Sequence, residues 1–349
     1  MSINRKKNIV FISLVSLIFV FVIIHLVFWG EKNMLDKHQS TYLSFGCFIV
    51  NDKNERMISP VAVIKEDLFN EKFRIMVSSN KDVKFDVILL SNYEQIPFSI
   101  NGSEEKNKHT IFINKSLDKK TVSSNIQIKS TNIKTKSNDC VLIFTRKDSD
   151  DNYNLVRNTY AYRFSVLNEY SNINSVDINI LKEPKAIKGT IDDVMAIFDR
   201  DFNEIKTNHY ENYEMINKQE DAKRNTPIAL PTVICLENLV KDSKFYDKYL
   251  QECSSNQKYK LLIFAIVNGE LHPLTIEGED KTFHVLESEL GSTIMLTPSI
   301  MFDKEGVYSL YLMTAVYPFE FNNDYLGTYK MMYWSSIVSS QRVLFNVGV

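Results

Sequence analysis

Twenty-one consecutive residues, Ile9 to Trp29 (IVFISLVSLIFVFVIIHLVFW), carry no charge. As a helix this stretch rises about 31 Å, close to the hydrocarbon thickness of a bilayer. It reads as a transmembrane helix over 9–29. Arg5, Lys6 and Lys7 precede it, so residues 1–8 are expected in the cytoplasm and the remainder on the far side of the cell membrane. A cleaved signal peptide would need small residues at its end. Here the run closes on His25-Leu26-Val27-Phe28-Trp29, and Cys47 lies too far on to take a lipoprotein lipid. Trp29 suits the outer aromatic belt. His25, about a turn from that boundary, reads as an interfacial side chain rather than a functional one. Residues 30–40 form a polar stalk reaching about 35 Å when extended.

Residues 41–349 have the length of two domains. Hydrophobic residues make up 44% of the chain and aromatics 12%, enough for packed cores. A formal net charge of −2 gives no electrostatic reason to expect nucleic acid.

Most of this region reads as strand. Phe73–Val77, Phe85–Leu90, Thr110–Asn114, Ser124–Lys129, Cys140–Thr145 and Tyr160–Val166 are short β-rich runs. In Ser124–Lys129 the isoleucines take one face and Asn, Gln and Lys the other, the pattern of a half-buried strand. Polar turns such as Asn101-Gly-Ser-Glu-Glu-Lys106 separate the runs. Spacing of this kind indicates antiparallel β-sandwiches. The second half repeats the pattern. Tyr259–Leu274 can be laid on Phe85–Phe98, Val307–Leu312 on Cys140–Thr145, and Arg342–Val347 on Arg163–Asn168. The expected fold is therefore mainly β: two tandem sandwiches at 41–184 and 226–349.

Phe302-Asp-Lys-Glu-Gly-Val-Tyr308-Ser-Leu310 resembles the approach to strand F of immunoglobulin-like domains. There a tyrosine hydroxyl bonds back to the preceding turn. The resemblance implies an immunoglobulin-like sandwich and says nothing of function. It covers nine residues and departs from the pattern: Leu310 stands where antibody domains carry a disulfide cysteine, and Cys140 falls where the first half would place the tyrosine.

Between the halves, residues 185–225 read as a helical connector. Val194, Phe198, Phe202 and Ile205 share one helix face, and polar residues 206–225 read as a linker or an exposed helical extension. Cys47, Cys140, Cys235 and Cys253 form no C-x-x-C pair. In an extracytoplasmic chain they make either two disulfides, Cys47–Cys140 and Cys235–Cys253, or four buried thiols.

The sequence carries no H-E-x-x-H, G-x-S-x-G, Walker A or G-x-G-x-x-G motif. His272 and His284 read as structural strand histidines. Glu277-Gly-Glu-Asp280 lacks calcium-loop spacing and reads as a solvated hairpin turn. No cofactor or metal is expected. One segment invites a positive assignment. Residues 317–334, where an F–G connection would fall, hold Tyr317, Phe319, Phe321, Tyr325, Tyr329, Tyr333 and Trp334. Aromatic side chains dominate binding hot spots. The alternative is an extra hairpin packed on its own sheet. The sequence thus points to a membrane-anchored, non-enzymatic binding or scaffold protein of the cell envelope, contacting a protein partner through this segment. An envelope hydrolase and a carbohydrate-binding protein are the alternatives.

Overall fold

The computed structural model describes residues 43–57, 61–64, 68–115, 121–133, 138–147, 159–168, 180–181, 185–188, 194–197, 219–235, 258–289, 292–316, 337–340 and 342–348. The expected membrane span lies outside these. Among the described residues no helix is long and apolar enough to cross a membrane, and all regular structure is β. Residues 43–349 form one compact unit.

The first half contains β1 (Leu43–Ile49), β2 (Val61–Ile64), β3 (Phe69–Ser79), β4 (Val83–Ser91), β5 (Glu94–Ile96), β6 (Ser99–Ile100), β7 (His109–Ile113), β8 (Val122–Ser130), β9 (Asn138–Arg146) and β10 (Thr159–Asn168). They make two sheets, β1-β3-β8-β6 and β2-β10-β9-β4-β5, with β7 also on β4. The sheets face each other across one apolar core, in which Phe73, Ile75 and Ile126 of one meet Phe85, Phe144 and Phe164 of the other.

The second half contains β11 (Ile180–Leu181), β12 (Lys185–Lys188), β13 (Val194–Ile197), β14 (Gln219–Lys223), β15 (Ile228–Ala229), β16 (Thr232–Cys235), β17 (Lys258–Val267), β18 (Glu270–His272), β19 (Leu274–Ile276), β20 (Glu279–Lys281), β21 (Phe283–Glu289), β22 (Ser292–Leu296), β23 (Ser299–Ile300), β24 (Gly306–Val316), β25 (Ile337–Ser339) and β26 (Val343–Gly348). Its main sheet runs β11-β21-β17-β24-β26-β14, and two smaller sheets, β12-β22-β16-β13 and β15-β23-β19-β20, cover it.

Where the expected helical connector, 185–225, is described, it forms strand. Val194 lies in β13, paired antiparallel with β16; Phe198, Phe202 and Ile205 lie outside the described residues. Met195, Ala196 and Ile197 are consecutive and all buried, which suits a strand enclosed on both faces. A short apolar run cannot declare its period, and the neighbouring strand decides it. Polar Gln219–Lys223, read as linker, is also a strand. The pairing is not wholly antiparallel either: β2 with β10, β11 with β21 and β14 with β26 are parallel. Ile180–Leu181, inside the range assigned to the first sandwich, pairs with β21 of the second half.

The two halves share one register. Ser91-Asn92-Tyr93-Glu94 and Val267-Asn268-Gly269-Glu270 are two-residue hairpin turns, with φ of 50° and 62° in the first and 50° and 74° in the second. Such turns require left-handed backbone at both central positions. Each asparagine clamps the next strand over. Asn92 N–H donates to the Asp139 carbonyl (2.8 Å) and its side-chain oxygen accepts from Asp139 N–H (3.0 Å). Asn268 does the same to Ser309, at 2.9 Å both ways. From this anchor, residues 85–102 match 261–278 without a gap, including the left-handed turns Asn101-Gly102 and Glu277-Gly278. Ser91 pairs with Cys140 and Val267 with Leu310. Cys140 is therefore equivalent to Leu310, and Asn138, not Cys140, is equivalent to Tyr308. The same reasoning makes Arg163 equivalent to Arg342, in agreement with the sequence alignment.

Candidate functional site

The seven aromatic residues picked from the sequence, Tyr317, Phe319, Phe321, Tyr325, Tyr329, Tyr333 and Trp334, lie outside the described residues. The strand ends that carry them do not. The segment leaves β24 at Val316 and returns in β25, which pairs back on β24. Met313 faces Ser339 while Leu310 faces Val343, so three steps on one strand meet four on the other. That is a one-residue bulge. Ser340 secures it, its N–H on the Leu312 carbonyl (2.8 Å) and its hydroxyl accepting from Leu312 N–H (3.0 Å).

Val316 is also held from the first half. Arg163 on β10 donates through Nη1 to the Val316 carbonyl (2.6 Å) and through Nε to Asp139 Oδ1 (2.8 Å), with Nη2 on Asp139 Oδ2. Tyr93 donates its hydroxyl to Asp139 Oδ2 (2.9 Å). Asp139 and Arg163 are 2% and 3% exposed, so this is an ion pair inside the protein. Burial raises the Tyr93 phenol well above its ordinary pKa, with the Arg163 charge opposing. The phenol stays protonated and acts as donor.

This cluster lies in a second apolar layer between the halves. Ile88, Leu90, Val141 and Ile143 of the first half pack against Phe264, Ile266, Tyr311 and Met313 of the second. Those are four pairs of equivalent positions, so the halves meet about an approximate two-fold axis. Gln95 and Leu271, also equivalent, touch: Leu271 N–H donates to Gln95 Oε1 (2.8 Å). Each hairpin turn docks on the opposite sheet. The Tyr93 ring lies 5.9 Å from Phe264 and 6.2 Å from Phe283. Its counterpart Gly269 approaches Asp86 so closely that a Cβ would sit 3.0 Å from the Asp86 Cβ. Lys108 bridges to Glu270 at 2.7 Å.

Sequence reasoning missed this interface, although a signal existed. Val87–Leu90 and Leu261–Val267 are unbroken apolar runs, the mark of strands buried on both faces.

The other candidates have structural partners. His284 Nε2 lies 2.6 Å from the Leu274 carbonyl, and His109, its equivalent, 2.6 Å from the Phe98 carbonyl. His272 packs its ring 5.7 Å from Phe302. Glu277-Gly278 is the hairpin turn joining β19 and β20, and among the described residues no group of His, Cys, Asp or Glu is placed to hold a metal. The Tyr308 hydroxyl donates to the Lys304 carbonyl (2.9 Å), the bond back to the turn that the sequence predicted. Cys47 and Cys140 are free thiols, so the first expected disulfide is not made. They belong to opposite sheets of one core, and burial pushes both thiol pKa values up. Cys235 is buried at the end of β16; Cys253 lies outside the described residues.

No family model matches the chain, and no curated protein does. Among solved structures, the C-terminal domain of the Streptococcus pyogenes antigen I/II-family protein AspA aligns over 87% of this chain and 99% of that one, at 8% identity. The TM-score is 0.21, too low to bear on fold or function.

Proposed function

We propose that this chain is a membrane-anchored binding or scaffold protein of the cell envelope, without catalytic activity. In this reading two immunoglobulin-like sandwiches, related by tandem duplication, stand outside the membrane on the Ile9–Trp29 helix. They capture a protein partner through residues 317–334. The observation that supports the reading is the base of that segment. Residues 317–336 leave from and return to a strand held by β17, β26, the Ser340 bulge and Arg163 of the other half. A fixed base lowers the ordering cost that a long binding segment would otherwise carry. Aromatic rings on such a base provide large contact area at low entropy cost.

The test is affinity capture from mildly solubilised membranes with full-length bait. The control is the triple variant Tyr325→Ala, Tyr329→Ala, Trp334→Ala. A defined set of envelope proteins lost in the control is the expected result. The same set captured by both baits removes the aromatic segment as the contact. No capture, with binding to purified envelope glycan, moves the assignment to a carbohydrate-binding protein.

A further inference from the structure

The outer face of the β1-β3-β8 sheet gathers positive charge. Lys72 and Arg74 on β3 and Lys129 on β8 point away from the core, and Arg56 stacks over the Phe48 ring at 5.3 Å. Among the described residues none of these four forms an ion pair. The outward positions of the three strands hold no carboxylate. Of the two acids in the adjoining turn, Asp52 and Glu55, the latter is engaged by the Asn51 amide (3.0 Å). Side-chain amides lie among these charges: Arg74 Nε donates to Asn125 Oδ1 (3.1 Å), Asn125 Nδ2 to Asn54 Oδ1 (3.1 Å), and Gln127 Nε2 to Asn70 Oδ1 (2.7 Å). These bonds hold Arg74 in place.

We propose that this face docks on anionic phospholipid headgroups of the membrane to which the chain is anchored. The docking rests on the anchored reading. Two observations select a lipid plane as the occupant. Positive charge predominates and is spread over two strands and a turn, complementary to a surface of phosphodiesters and not to a single small anion. β1, the edge strand of this same sheet, begins at Leu43, and residues 30–42 reach at most about 45 Å. The basic face is thus the part of the described fold closest in sequence to the bilayer. Lysines and arginines near an anionic surface each add to binding, and salt screens them within a Debye length.

Full-length protein in nanodiscs is the material, one set zwitterionic and one with about a third anionic lipid. Acylation rates of Lys72 and Lys129 by an amine-reactive ester are read by mass spectrometry, against Lys304 of the second half. The expected result is several-fold slower acylation of Lys72 and Lys129 in anionic discs only. High salt and the double variant Arg56→Glu, Arg74→Glu restore the rate. Equal rates in both discs overturn the docking while leaving the anchor intact. Protection in zwitterionic discs on adding soluble poly(glycerol phosphate) overturns it in favour of a free polyanion. A chain that co-migrates with neither disc overturns the anchored reading itself, and the docking with it.

Discussion

The two halves follow one register and differ in how they close it. In the first, β3 and β8 pair without interruption from Phe69 with Ser130 to Val77 with Val122. In the second, the equivalent ladder is cut. Ile228 pairs with Ile300 and Ala229 with Ser299; then Thr232 pairs with Leu296 and Ile234 with Ile294. The register carries straight through the gap. At the gap Pro231 stands opposite Thr297 and Pro298 opposite Leu230, whose N–H still reaches the Pro298 carbonyl at 2.8 Å. Proline removes a ladder donor, so two prolines on facing strands divide a sheet without shifting it. The halves differ again at their shared face. Arg163 has Asp139 beside it; at the equivalent place, near Arg342, stands Ser309. A repeated frame therefore fixes register and turns, while the details that lock it are free to diverge.

The largest test of this contrast is Asp139→Leu. It leaves the Arg163 guanidinium buried and should cost about 3–5 kcal/mol in denaturant unfolding. Ser309→Ala, its mirror, should cost under about 1 kcal/mol. Equal losses would show that the two ends of the interface are energetically alike. Asp139→Leu with Arg163→Leu should regain most of the stability. Next come the clamps. Asn92→Ala and Asn268→Ala each lose a left-handed turn residue and a side-chain hydrogen bond, at about 1–3 kcal/mol each. If only one matters by the same measurement, the shared frame is not bearing both halves.

A smaller effect separates the ladders. Amides of Val233 and Ile234 should exchange with deuterium about tenfold faster than those of Ile126 and Ile128, because a divided ladder opens in shorter units. Equal protection would mean the prolines interrupt geometry but not cooperativity. The smallest effect is acidic. Burial lowers the His284 pKa below 6.5, and its Nδ1 is buried without a partner. Unfolded chain then takes up a proton that folded chain refuses. Stability is unaffected well above pH 6.5 and falls as pH drops from there toward the folded value. His284→Gln should flatten that slope in unfolding curves measured between about pH 7 and 5.

Legibility in the sequence depends on how many faces each strand buries. Ser124–Lys129 alternates because its outer face is open, and its strand is plain from the residues alone. Val87–Leu90 and Leu261–Val267 do not alternate, because one face fills a half's own core and the other fills the shared layer. Their strand character is plain too, yet nothing in the run names the partner of the second face. The Asp139–Arg163 pair is equally hidden: its members stand on two strands, and only the fold brings them together. Gln219–Lys223 has no strand signal of its own; β26 supplies its pairing.

Tyr93 holds a left-handed turn position where the second half uses glycine, and it is completed by Phe264 and Phe283, far along the chain. On the ribosome the first half is made before the surface it needs. At usual elongation rates the strands through Val316 trail Asn168 by on the order of ten seconds. Throughout that interval Ile88, Leu90, Val141 and Ile143 are exposed, and any other apolar strand face nearby competes for them. The first half thus carries an unmatched apolar face for as long as the second is being synthesised, and a stop codon after Asn168 would make that condition permanent.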